Sequence, residues 1–337
     1  MHASKGRRAC RAAAAIGPAL VALLIVGLCV ARGGEILAAL AACPAWVLGG
    51  AVLAHLLTLV LRTEAWRTVL AGAGGESLDR GALHAANAGA FLAGTVQGSA
   101  ALAARIALIR QLGGDRAPSV SQIALADAPI LLYEVCTSAL LAAIASTAVP
   151  AIPPWVPALI LLGALATLVA MRLAHGRWGH RRIAAGLGVL ALPALRNRLA
   201  LVVLAFTAMA LVRTWLVLLG FGLPSDPASV ALVLVSMGVI GLLPIGVGTG
   251  PTATVASLGA TNLAAATAAG MVVSAATVLA VLVYALACWC VGLRLRPRAV
   301  TEEQPGAEVE QPGAEVFPFP APAAAAASAD RGLDLAA

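Results

Sequence analysis

LVLVSMGVIGLLPIGVGTGPTATVASLG (Leu232–Gly259) is apolar enough to enter a membrane, yet Pro244, Gly246, Gly248, Gly250 and Pro251 interrupt it. HAANAGAFLAGTVQGSAALAAR (His84–Arg105) has the same character, with Gly94 and Gly98 at its breaks. Backbone broken at membrane depth is tolerated only where protein or a water-filled cavity covers the freed polar groups. A pair of such segments in corresponding positions of two halves is a sequence pointer to a binding site near the bilayer midplane.

The rest of the chain fits that setting. Of 337 residues 61% are hydrophobic and only 11% charged, and the mean hydropathy is +0.95. Soluble domains average about 25% charged residues, so the chain reads as an all-α polytopic membrane protein. The polar stretches are a basic N-terminus (1–11), short loops, a basic middle (172–198) and an acidic tail (299–337). None has the size of a catalytic domain. Residues 12–298 form the transmembrane domain, and the Pro/Ala-rich tail with its tandem EQPGAEV heptapeptide reads as disordered and cytoplasmic.

Hydropathy predicts six full spans, each about 20 residues for a core of about 30 Å. They are Ala12–Ala31, Ala45–Leu61, Ile123–Val149, Ala158–Met171, Leu199–Gly220 and Leu263–Gly292. Basic residues concentrate in cytoplasmic loops. If both interrupted segments are re-entrant, nearly all the basic residues fall inside, among them Arg67, Arg80, Arg110, Arg182, Arg198 and Arg294, and Arg32 alone falls outside. If both cross fully, the same charges split about evenly. The re-entrant arrangement is therefore expected, with both termini in the cytoplasm and the chain in the plasma membrane. Each half then reads span, span, re-entrant hairpin, span, entered from opposite faces: a 3+3 inverted-topology repeat.

Cys10, Cys29, Cys43, Cys136, Cys288 and Cys290 are scattered without metal-ligand spacing. No nucleotide loop, nucleophile–base pair or metal motif is present, so neither an enzyme nor a cofactor nor a nucleic-acid partner is expected. GVGTG (Gly246–Gly250) lacks the Lys-Ser/Thr of a phosphate loop.

Ionisable residues inside spans are functional candidates because charge is costly in lipid. Asp127 and Glu134 lie two turns apart on one span, and Arg213 lies in another. A Glu134–Arg213 or an Asp127–Arg105 pair would offset that cost, serving either helix orientation or substrate. Asn87, Gln97, Ser99, Thr249, Thr252 and Thr254 cluster on the interrupted segments. They would cap the broken helices or, with the half-helix N-termini, receive an anionic headgroup. His55, His84 and Tyr133 read as packed, hydrogen-bonded side chains.

Three stretches resemble the lysylphosphatidylglycerol synthase transmembrane region, the flippase-like integral membrane family. LRTEAWRTVLAGAG (Leu61–Gly74) resembles its R-x-x-x-W-R stretch through Arg62, Trp66 and Arg67. NAGAFLAGTVQGSAALAARIALIRQLG (Asn87–Gly113) is similar to its N-x-x-x-P-x-x-x-G-[DE]-x-x-R region, and LLPIGVGTGPTAT (Leu242–Thr254) to its P-x-x-P-G-G-x-G-x-x-E loop. The likeness covers residues 10 to 295. Two departures remove charge: Ser99 follows Gly98 where the family has an acid, and Thr252 or Thr254 stands where a Glu is expected. The family's soluble aminoacyl-transferring domain has no counterpart, so lipid lysylation is not expected. The resemblance implies a lipid or lipid-linked-headgroup flippase whose partner is a membrane lipid with an anionic headgroup. A scaffold or assembly subunit that keeps the fold without transport is the alternative that the missing acids favour.

Overall fold

A computed structural model describes residues 30–73, 79–96, 100–113, 117–146, 155–178, 187–241, 248–259 and 262–295, with 26, 27, 149 and 153 besides. Among these residues all regular structure is helical. A helix over 30–42 (α1) is followed by α2 (Ala45–Gly72), α3 (Arg80–Val96), α4 (Ala100–Gly113), α5 (Val120–Ser146) and α6 (Trp155–Trp178). The second half holds α7 (Pro193–Gly220), α8 (Pro227–Ile240), α9 (Thr249–Leu258) and α10 (Leu263–Leu295).

Four helices are long and apolar enough to cross a membrane: α2, α5, α7 and Leu263–Val291 within α10. They match four of the expected spans, and only a helix satisfies its backbone internally over such an apolar run. The apolar part of α6, Trp155–Ala170, is shorter, as is α8. The expected span Ala12–Ala31 lies almost wholly outside the described residues. α2 continues to Gly72, well past Leu61, through the polar run Arg62-Thr63-Glu64. Hydropathy ends the span there, but the helix goes on because those side chains are paired within the protein.

α2 and α7 run antiparallel as a central pair. Arg213 meets His55, the Arg62 guanidinium lies over the Phe206 ring, and Arg198 approaches Glu64, so positions descend on one helix as they rise on the other. α10 runs parallel to α2: Val47 and Ala51 share a buried cluster with Val272 and Ala276, and Thr63 meets Tyr284 further along both. α5 is antiparallel to α2, with Gln122 against the Ala73 carbonyl and Glu134 against Arg62.

The described parts of each interrupted segment are two short helices packed against each other. In the first, a Cβ on Gly94 would stand 3.2 Å from Ala101, and one on Gly89 would stand 2.4 Å from Leu108 Cδ1, so α3 and α4 lie back to back. In the second, the Ser257 hydroxyl donates to Ser236 at 2.9 Å, joining α9 to α8. α3 has 17 residues, α4 and α8 have 14 each, and α9 has 10. At 1.5 Å per residue the arms reach about 25, 21, 21 and 15 Å, short of a core of about 30 Å. α3 packs on α10 through Ala88, Phe91 and Leu92 against Ala280, Val281 and Tyr284. α8 packs on α5 through Ala231, Leu234 and Val235 against Leu141 and Ala145. α3 of the first hairpin therefore leans on α10 and α8 of the second on α5, while α9 packs closely on α10.

Local sequence starts α8 cleanly. Asp226 accepts from the Ser229 hydroxyl at 2.6 Å and from the Ala228 and Ser229 amides, and Pro227 follows where its missing N–H costs nothing. These hydrogen bonds, the Ser229 hydroxyl first, hold the Asp226 carboxyl below its ordinary range.

Candidate functional site

One face of α2 carries Arg62 and Trp66, a turn apart. Arg62 Nη2 lies 3.0 Å from Glu134 Oε1 and donates to Oε2 at 3.4 Å. Trp66 is fully buried, and the Arg105 guanidinium on α4 lies 4.3 Å from its ring centroid and 5.9 Å from that of Phe91. Arg105 Nη1 donates to Asp127 at 3.2 Å, so the Asp127–Arg105 pair of the sequence reading is present. α5 thus presents two carboxylates, two turns apart, to two arginines. Packed among them are polar atoms without hydrogen-bond partners among the described residues: Trp66 Nε1, Arg105 Nε, and both amide atoms of the fully buried Asn87, one turn before Phe91. Buried polar groups are nearly always paired, so this concentration of orphans marks a seam able to take a polar ligand or water.

The expected Glu134–Arg213 pair does not form. Arg213 Nη1 instead donates to His55 Nδ1 at 2.8 Å and to Thr277 Oγ1 at 3.1 Å. The reason is helix register. Arg213 faces His55 on α2, whereas Glu134 faces Arg62, two turns further on, which is about 10 Å along the axis. A double-mutant cycle should therefore give a coupling of about 0.5–1 kcal/mol for Arg62→Gln with Glu134→Gln, reduced by the partial exposure of Arg62. Glu134→Gln with Arg213→Gln should be additive within about 0.5 kcal/mol. Thermal unfolding of the full chain in detergent reads both, and coupling at the second pair would contradict the register.

Of the remaining sequence candidates, Gln97, Gly98, Ser99, Pro244 and Gly246 lie outside the described residues. Gly94 sits inside α3, where its lack of a side chain admits Ala101. Gly248 is the N-cap of α9, while Gly250 and Pro251 lie within the helix, in the first turn where proline is tolerated. Thr252 and Thr254 bond back to the Gly248 and Gly250 carbonyls, at 2.8 and 2.9 Å, so in this state both hydroxyls are turned to their own helix. Thr249 also has an interaction partner.

Sequence reasoning passed over Glu64. Its carboxylate meets Arg67 Nε at 2.9 Å, Arg80 Nε and Nη2 at 2.8 Å, His84 Nε2 at 3.3 Å and Arg198 Nη2 at 3.7 Å. His84 Nδ1 stands 2.6 Å from the Tyr284 hydroxyl, which stands 3.0 Å from Thr63 Oγ1. Thr63 also donates to the Leu59 carbonyl at 3.0 Å, so a chain of hydrogen bonds runs from α2 through Tyr284 of α10 and His84 of α3 back to Glu64. The signal in the sequence was a lone acid within a basic run, Arg62-Thr63-Glu64-Ala65-Trp66-Arg67.

Among the described residues no group of three His, Cys, Asp or Glu could hold a metal ion. Family models, curated proteins and solved structures contain no significant match to this chain.

Proposed function

We propose that the protein is an integral membrane transporter of an amphipathic lipid. The headgroup moves along the polar seam between the two hairpins while the acyl chains stay in the bilayer. The observation that carries this reading is the crossed packing, α3 on α10 and α8 on α5, around the central α2–α7 pair. Exchanging α2 with α7, α3/α4 with α8/α9, and α5 with α10 maps the packing of α3 on α10 onto that of α8 on α5, while the close packing of α9 on α10 has, among the described residues, only the Arg105–Asp127 contact of α4 with α5 opposite it. That symmetry supports six full spans with two re-entrant hairpins in a 3+3 inverted-topology repeat. Rocking of one half against the other then alternates access to a site between them. The paired charges on α2, α4 and α5 and the unpartnered polar atoms beside them supply a route for a headgroup that hydrocarbon would exclude. The charge distribution supports cytoplasmic termini in a plasma membrane, and the resemblance to the flippase-like family agrees with the same function.

Reconstitution into vesicles with labelled lipids of several headgroups tests the proposal. Movement of at least one headgroup class faster than in protein-free vesicles is expected. No acceleration for any headgroup would leave the scaffold reading, which the absence of an acid at Ser99, Thr252 and Thr254 favours.

A further inference from the structure

We propose that Arg213, with His55 and Thr277, is the seat of a phosphate-type anion, which under the transporter reading above is the phosphate of the lipid headgroup. Arg62 and Arg105 of the seam differ from Arg213 of the central pair in what they face. Arg62 faces Glu134 and Arg105 faces Asp127, whereas no carboxylate stands within ion-pair distance of Arg213 among the described residues. Its two partners are both neutral. Nδ1 of His55 can accept from Arg213 only if its proton is on Nε2, and the Thr277 hydroxyl donates onward to the Val273 carbonyl at 2.9 Å. Arg213 is 6% exposed and its Nε has no hydrogen-bond partner among the described residues. A guanidinium buried without a counter-charge is strongly unfavourable, and one that persists implies that something brings the charge.

The surroundings suit an oxyanion. His55 lies ten residues along α2 from Ala45, about 15 Å into a core of about 30 Å, so the three residues meet near the midplane. Along α10, Ser274 and Gly270 precede Thr277 on the same face, and the first turn of α9 presses there: a Cβ on Gly250 would stand 2.5 Å from Ser274 Oγ. The N-terminal end of α9, whose dipole favours negative charge, therefore abuts the stripe that Arg213 reaches. A guanidinium fork suits the non-bridging oxygens of a phosphodiester, and the α9 N-terminus meets α10 at Ser274, about one turn from Thr277.

The experiment uses the full chain in detergent, titrated with phosphatidylglycerol, with diacylglycerol and with inorganic phosphate, and reads the unfolding midpoint. Phosphatidylglycerol should raise the midpoint of the natural protein, and diacylglycerol should not. An equal effect of inorganic phosphate would make a free anion the ligand. Arg213→Met should unfold at a higher temperature than the natural protein without lipid, because it removes an uncompensated charge, while its lipid affinity falls about tenfold or more. A lower midpoint together with an unchanged lipid response would overturn the proposal. Should Arg213→Met fail to fold, Thr277→Val decides: it keeps the charge and removes one orienting acceptor, so lipid affinity should fall severalfold, and an unchanged affinity would overturn the seat. Vesicle transport separates the two readings. A natural protein that binds phosphatidylglycerol through Arg213 but moves no lipid overturns transport alone. Arg213→Met moving lipid at the natural rate with natural affinity overturns the seat alone.

Discussion

Gly270→Ala is expected to force α9 away from α10 and to give a large loss of stability. A Cβ at position 270 would stand 2.4 Å from Pro251 Cα and 2.6 Å from Pro251 N, and a Cβ on Gly250 would stand 2.5 Å from the Gly270 carbonyl oxygen. These are backbone atoms, so no side-chain rotation relieves the overlap. Overpacking costs about 1–3 kcal/mol where side chains can shift, and here the cost should exceed about 3 kcal/mol. Gly163→Ala on α6 is the control. Nothing lies within 4 Å of its added Cβ, so alanine there should be neutral or stabilise by up to about 1 kcal/mol. Thermal unfolding of both variants in detergent reads the contrast. Equal midpoints would mean that α9 does not pack on α10 at Gly270.

Asp127→Ala should be the more damaging half of its ion pair. It leaves the Arg105 guanidinium, 6% exposed as a side chain, against Trp66 without a counter-charge. Breaking a buried pair in this way costs about 3–5 kcal/mol, and the partial exposure of Asp127 argues for the lower end. Arg105→Met keeps an unbranched chain against the Trp66 ring, and the Asp127 carboxylate left behind is 36% exposed and can be solvated. That change should cost about 1 kcal/mol. The double variant should recover most of the loss seen in Asp127→Ala. Equal costs for the two single changes would mean that the guanidinium finds another acceptor once Asp127 is gone.

The composition determined the membrane class, and the runs behind α2, α5, α7 and α10 were legible because a lipid-facing helix needs an almost unbroken apolar stretch. The interrupted segments were legible for the opposite reason: clustered glycine, joined by proline in the second, disfavours one unbroken helix, although Gly94, Gly250 and Pro251, expected at the breaks, lie inside α3 and α9. The candidate site was legible only as a set of residues. Hydropathy gives neither the rotation of a helix about its axis nor the neighbour it meets, and both decide which charges pair. The same chemistry suggested Arg105 with Asp127 and Arg213 with Glu134; the first pair forms, whereas Arg213 turned to His55 because α7 opposes α2 two turns away from Arg62.

What only the tertiary structure decided follows from the same cause. Glu64 looked like the polar end of a span, and it became the meeting point of Arg67, Arg80, His84 and Arg198 once α2, α3 and α7 converged on it. The extension of α2 to Gly72 rests on that convergence, since charges paired across helices no longer need to leave the membrane. Local composition by itself determined which runs are apolar enough to form membrane-length helices. Which polar groups are satisfied, and which, like Arg213 Nε and the Asn87 amide, are left waiting, depended on side chains far apart in the chain meeting at one depth.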